Sequence, residues 1–271
     1  MTNNIYQESS EYKKFLKREK KQKLTIVLIQ ITLFVGILGI WEILAQIDAI
    51  DTFITSCPSK IFETIINIAK TGELWTHIST TLIEAILGFI IATGLGYLLA
   101  TILWFSEPLR KILDPFLVVL NSLPKIALGP LIIIWVGIGT TSIVVMDVLI
   151  MIIITTLTML SAFCNCDKSK IMLLRSYGAN KFQILTKLII PHAVVDFIGV
   201  LKVNVGLTWV GTIMGEYLNS RAGLGYLIVY GSQVFNLNLV MSSTVILCVL
   251  AGIMYFVVAG IEKSIRKKFN N

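Results

Sequence analysis

Residues 142 to 163 read SIVVMDVLIMIIITTLTMLSAF, an apolar run with one ionisable side chain, Asp147. At 1.5 Å per residue such a helix covers roughly 33 Å, enough to cross the hydrocarbon core of a bilayer. Lipid leaves only helices and closed barrels as ways to satisfy the backbone, and a long unbroken apolar run selects the helix. A carboxylate at the centre of a span costs roughly 2.5 to 3.5 kcal/mol on insertion scales, so Asp147 is expected to face the interior of a bundle. There it either hydrogen-bonds a neighbouring helix or touches a transported solute.

The whole chain shares this character. Of 271 residues, 55% are hydrophobic and 14% charged, and the mean hydropathy is +0.82, far from the soluble range. The expected class is an all-α membrane protein of about six transmembrane helices, over residues 24–47, 79–105, 113–137, 142–163, 197–217 and 239–261. A basic arm, 1–23, precedes this membrane domain of 24–262, and a basic tail, 263–271, follows it. The run 24–47 is too long for a signal-peptide core and reads as an uncleaved first span. Pro58 opens a short amphipathic stretch with Ile61, Ile65 and Ile68 on one side, which suits a surface-lying helix.

The net charge of +7 does not point to nucleic acid, because the basic residues sit beside the spans. Seven lie between Lys13 and Lys23, and Lys263, Arg266, Lys267 and Lys268 follow the last span; Arg110 and Lys111 mark one loop, and Lys168, Lys170, Arg175, Lys181 and Lys187 another. On the other side stand Lys60, Lys70 and Arg221. This bias places both termini in the cytoplasm of a multi-pass protein in the cell membrane.

Within the spans, Glu84, Gly88, Ala92, Gly96 and Ala100 recur every fourth residue, a small-residue face on which a neighbouring helix can pack closely. Glu84 on that face is either a helix-end carboxylate near water or part of a pathway. Pro115, Pro124 and Pro130 interrupt the third span, which is therefore expected to be broken or bent. The fifth carries Lys202, Asn204, Thr208, Trp209, Gly211, Gly215 and Glu216, too many polar groups for a lipid-facing surface. Asp147, Lys202, Asn204, Trp209 and Glu216 are the pathway candidates. Lys202 fits an anionic solute or an ion pair with Asp147 or Glu84.

Between the fourth and fifth spans, residues 164–192 are basic and amphipathic. Gly178 can take the positive φ that ends one short helix, Asn180 can cap the next, and Pro191 is expected to close or kink the segment. Cys164 and Cys166 lack further ligands for a metal, and no phosphate-binding Gly-rich loop or catalytic trio occurs. The expectation is a non-enzyme without cofactor or metal.

The segment resembles the cytoplasmic coupling loop of ABC importer permeases, in which Glu-Ala-Ala is followed after three residues by Gly, and nine residues later by Ile, any residue and Leu-Pro. Gly178 and Pro191 are in register, Leu188 and Ile190 stand for Ile and Leu, and Met172, Leu173 and Leu174 replace Glu-Ala-Ala. The third span resembles the nitrate, sulfonate and taurine type of these permeases at Pro115, Pro124, Ala127, Pro130, Leu131, Trp135, Gly137 and Gly139, and Gly223 to Tyr226 also matches. Glu84 departs, standing where those relatives usually carry Arg. The resemblance implies a homodimer that works with a cytosolic ATPase and an external solute-binding protein, docked through Arg175, Gly178, Ala179, Asn180, Lys181 and Pro191. It implies a small oxyanion or sulfonate as solute, or alternatively a pyrimidine vitamin precursor.

Overall fold

A computed structural model of the chain describes residues 10–269. The elements are α1 (Ser10–Gln46), α2 (Thr52–Thr55), α3 (Pro58–Thr71), α4 (Glu73–Phe105), α5 (Glu107–Ser122), a 3-10 turn (Lys125–Leu128) and α6 (Gly129–Val136). They continue with α7 (Thr140–Cys164), α8 (Lys168–Ser176), α9 (Lys181–Ile184), a π turn (Leu185–Ile189), α10 (Ile190–Asn219), α11 (Leu224–Gln233) and α12 (Leu237–Phe269). Among the described residues there is no strand. Five helices among the described residues are long and apolar enough to cross a bilayer. A sixth crossing requires α5 and the stretch through α6 to count as one span, bent by 85°. The break falls at Leu123–Pro124, where proline removes a donor and excludes the preceding residue from the helical region.

Helices run past the bounds that the apolar runs set. The basic arm is not separate from the first span: α1 starts at Ser10 and carries residues 10–23 in the same helix, because its Lys and Glu residues are good helix formers and no breaker intervenes. The tail likewise continues α12 to Phe269. Met1–Ser9 and Asn270–Asn271, also assigned to the arm and tail, lie outside the described residues. Pro191 does not close the coupling segment. The chain runs as one helix from Lys181 to Asn219; Pro191 sits in the first turn of α10, directly after the π turn. The wider turn is closed by the Ile190 N–H on the Leu185 carbonyl, one residue before the proline that has no N–H to give.

Two compact units divide after Glu63. In the first, Glu42 of α1 accepts from the Ser59 backbone N–H at 3.1 Å and the Ser59 hydroxyl at 2.8 Å, placing an anion at the start of α3. The second is built on α4, α7 and α10, which pack directly on one another. The small-residue face sets their spacing. At Gly96 a Cβ would lie 2.6 Å from Thr155 Cβ, and at Gly215 3.0 Å from Ile143 Cγ2. Gly88 and Gly211 leave no room for a Cβ, because the Asp147 carboxylate fills the space on both sides.

Apolar clusters close the unit at both ends. At one end Phe163, Met159, Leu103 and Ile189 are buried together, with Tyr97 set edge-on to Phe163 and Phe197 at 5.7 and 5.5 Å. At the other, Leu74, Val205, Trp209, Leu224 and Leu247 join α4, α10, α11 and α12.

A side chain at Gly94 would meet nothing within 4 Å, whereas one at Gly96 meets Thr155. Gly96→Leu is therefore expected to destabilise the purified protein by about 1–3 kcal/mol or more and lower its unfolding temperature. Gly94→Leu on the same helix should leave it unchanged. Equal melting temperatures for the two variants would show that this face does not set the helix spacing.

Candidate functional site

The segment from Asp167 to Ile190 is built by local hydrogen bonding. The Asp167 carboxylate accepts from the Ser169 N–H at 2.8 Å and caps α8. Gly178 turns the chain at φ +79°. The Asn180 side chain accepts from the Gln183 N–H at 2.8 Å while the Gln183 side chain accepts from the Asn180 N–H at 2.9 Å, a reciprocal cap for α9. Ile184, Leu185 and Ile189 are buried in the apolar cluster and anchor the segment, with Ala179 packed against it. Met172, Leu173, Tyr177 and Phe182 point the other way and are 56 to 79% exposed.

A polar seam runs through the packed helices. Glu216 of α10 accepts from the Thr81 hydroxyl at 2.6 Å and the Gly225 N–H at 2.5 Å. Gly223, at φ +120°, comes so close that a Cβ there would overlap the Glu216 carboxylate. The Gly-Leu-Gly-Tyr sequence at 223–226 is thus the backbone wall of a carboxylate pocket, which side chains at its glycines would fill. Glu84 accepts from the Thr140 hydroxyl at 2.8 Å through one carboxylate oxygen, and the other is buried without a hydrogen-bond partner among the described residues. Asp147 accepts from the Thr212 hydroxyl at 2.8 Å. Asn204 donates to the hydroxyls of Thr93 at 3.0 Å and Thr155 at 2.9 Å, so it ties α10 to both α4 and α7.

Two recesses flank the seam. At the α7 end remote from α8, Thr80, Glu84, Thr140, Asn219, Ser220 and Arg221 line a polar recess of about 370 Å³. Nearer α8, Phe89, Tyr97, Phe163 and Phe197 line an apolar recess of about 470 Å³ between α4, α7 and α10.

The sequence profile of binding-protein-dependent transport system inner membrane components matches residues 92–270. The chain belongs to this family. It is an ABC permease, the non-catalytic membrane subunit of a transporter. The Taurine transport system permease protein TauC of Escherichia coli (strain K12) is 24% identical, over 82% of this chain and 84% of that protein. The Riboflavin transport system permease protein RibX of Chloroflexus aurantiacus is 30% identical, over 84% of this chain and 85% of that one. Among solved structures, a bacterial ABC transporter involved in the import of the acidic polysaccharide alginate shares the fold, with a TM-score of 0.64 over 94% of this chain and 98% of the matched chain at 14% identity.

The permease gathers Asp147 of α7 with Asn204 and Glu216 of α10 where α4, α7 and α10 meet, and all three are buried. It places the other two pathway candidates elsewhere. Trp209 is packed in the cluster with α11 and α12. Lys202 pairs neither with Asp147 nor with Glu84: its ammonium meets Glu262 near the end of α12. One helix carries both faces, and periodicity alone does not say which neighbour each one meets. Sequence reasoning passed over the threonines, Thr81, Thr93, Thr140, Thr155 and Thr212, that satisfy these groups. No local spacing marked them: Thr81 donates to Glu216 rather than to Glu84 three residues on, and Thr212 donates to Asp147 rather than to Glu216 four residues on, so each pairing runs between helices.

Lys202→Met deprives Glu262 of its cation and is expected to destabilise the permease by about 2 kcal/mol or more. Adding Glu262→Leu should recover most of that loss, a coupling that a double-mutant cycle on thermal unfolding measures. Strict additivity would show that the pair carries no structural weight.

Proposed function

We propose that two copies of this permease form the membrane pathway of an importer, driven by a cytosolic ATPase that binds the turn at Gly178, and supplied by an external binding protein. The observation that carries this reading is the docking segment itself. Its apolar side chains project from the bundle on the side bearing the basic loops, and no other described part of the chain covers them. A self-sufficient channel has no use for such a surface. By the excess of Lys and Arg, that side and both termini are cytoplasmic. The polar recess at the opposite end of α7 then faces the binding protein.

The segment is built to transmit movement. The capped turn is one stiff piece, Ile184 to Ile189 tie it to the central cluster, and the π turn joins it to α10 without a break. Closure of the ATPase pair moves this piece, and α10 carries the displacement along the seam to the recess beside Glu216 and Arg221.

For the solute, we infer a small sulfonate or oxyanion. Arg221 gives the recess a guanidinium of the kind that oxyanions take, and the taurine permease is similar over most of both chains. The 30% identity to the riboflavin permease favours a second reading, a vitamin or its heterocyclic precursor.

Gly178→Trp tests the assembly. A side chain there meets nothing within the chain, and the positive φ adds only about 1–2 kcal/mol of local strain. The variant is expected to accumulate in the membrane, lose the co-purifying ATPase and fall to background uptake. Normal uptake by Gly178→Trp would sink the docking reading. Uptake of labelled taurine and of riboflavin by cells with and without this gene separates the two solute classes, and a riboflavin-only defect would overturn the anion assignment.

A further inference from the structure

The exposed apolar residues do not stand alone. Beside them, between the α4–α5 corner and the docking segment, lies a notch of about 180 Å³ lined by Trp104, Phe105, Glu107, Arg110, Arg175 and Lys181. Three cations share it with one carboxylate, and Glu107 is already engaged by Lys111 at 3.0 Å. The cations hold far more donors than the chain uses. Arg110 gives one N–H to the Cys164 sulfur at 2.7 Å, and Lys181 gives one to the Phe105 carbonyl at 3.3 Å. Arg175 makes no side-chain hydrogen bond or ion pair among the described residues. A guanidinium carries five donors and an ammonium three. The notch is therefore a preassembled anion cradle, with room for one carboxylate side chain and a few waters.

We infer that this notch seats an aspartate or glutamate side chain of the cytosolic ATPase, held by Arg110, Arg175 and Lys181, while Met172, Leu173, Tyr177 and Phe182 enter an apolar groove on the same subunit. This rests on the importer reading above and deepens it by specifying the chemistry of the partner's face: apolar at the centre, acidic at the rim. A protein occupant is favoured over a phospholipid headgroup because two of the three cations, Arg175 and Lys181, and the four exposed apolar side chains belong to one short segment. A bound phosphate would satisfy the cations and leave Tyr177, 79% exposed, and its neighbours in water. An acidic, apolar protein face covers both.

Position 172 shows the same polarity. Met172, 69% exposed, lies within one turn of Arg175 on α8, and the carboxylates nearby, Asp167 and Glu107, are respectively turned into the helix cap and paired with Lys111. The surface offered to the partner is cationic and apolar, with no outward acid between Lys168 and Lys187.

The test uses the full complex, solubilised mildly from native membrane with its co-expressed ATPase. A zero-length carbodiimide joins Lys181 to any carboxylate touching it, and mass spectrometry of the digest identifies the linked residue. The expected result is a Lys181 link to an Asp or Glu of the ATPase. With it should come at least a tenfold loss of retained ATPase in Arg175→Glu/Lys181→Glu, and near-normal retention in Arg175→Lys. Because both residues are exposed, loss of folding is not expected, and the variant's elution volume checks it. ATPase retained undiminished by the charge reversal, with no link from Lys181, overturns the inference and leaves the importer reading standing. ATPase retained by the variant while a phospholipid seen by native mass spectrometry on the wild type disappears also overturns it, in favour of a headgroup. Absence of any ATPase from the folded wild-type chain overturns the importer reading, and this inference with it.

Discussion

Asp147 fills the space between Gly88 and Gly211, and the three central helices meet as they do because neither glycine has a side chain to dispute it. Inside a bilayer the hydrophobic effect supplies no drive for helices to associate, so close van der Waals approach and interhelical hydrogen bonds must supply it. Both are concentrated here. The glycines bring α4 and α10 against α7, and the carboxylate they surround accepts from Thr212. Above and below it, Asn204 bridges Thr93 and Thr155, and Glu216 bridges Thr81 and the Gly225 amide. Leu224, whose N–H also reaches the Thr81 hydroxyl, starts α11 at that point. The position of α11 thus depends on a polar cluster that begins with small residues on α4.

This arrangement explains which parts of the protein were legible in its sequence. Spans were legible because length and apolarity are properties of one segment, and the break at Leu123–Pro124 because proline acts on its own backbone. Gly178 and Asn180 were legible for the same reason: a positive φ and a reciprocal cap are local. The ends of α1 and α12 were not legible, because apolarity marks only the membrane stretch, whereas Lys and Glu are strong helix formers and the helices simply run on. The partner of Lys202 was not legible. Asp147, Glu84 and Glu262 are all carboxylates on other helices, and choosing among them requires the rotation of α10, which is set by its glycines meeting Asp147 and Ile143 rather than by anything near Lys202.

The π turn follows from the same rotation. Two constraints fix the segment from both sides: Asn180 and Gln183 set where α9 begins, and the face of α10 that meets α4 and α7 sets its angle. An uninterrupted α-helix through Pro191 leaves the Lys187 carbonyl without a donor. A turn widened over Leu185–Ile189, closed by the Ile190 N–H on the Leu185 carbonyl, offers a way to reconcile the two phases while keeping the chain continuous. If the segment carries displacement as proposed above, continuity matters more than straightness, since a loop at this point would dissipate any movement imposed on Gly178.

The same logic assigns different tolerances to the two ends of the bundle. At the remote end, Glu84 and Glu216 sit beside the polar recess with their partners drawn from three helices and the turn before α11, so a shift of any one of these alters the others. At the α8 end the contacts are apolar, with Phe163, Ile184 and Ile189 buried among Met159, Leu103 and Tyr97. Apolar packing is non-directional and lets helices slide by small amounts, whereas hydrogen bonds to buried carboxylates are either made or lost. In the importer proposed above, a push delivered at the apolar end is therefore accommodated smoothly and converted at the polar end into a change between discrete arrangements. Under that proposal the gating step falls at the threonine and carboxylate cluster rather than at the docking turn.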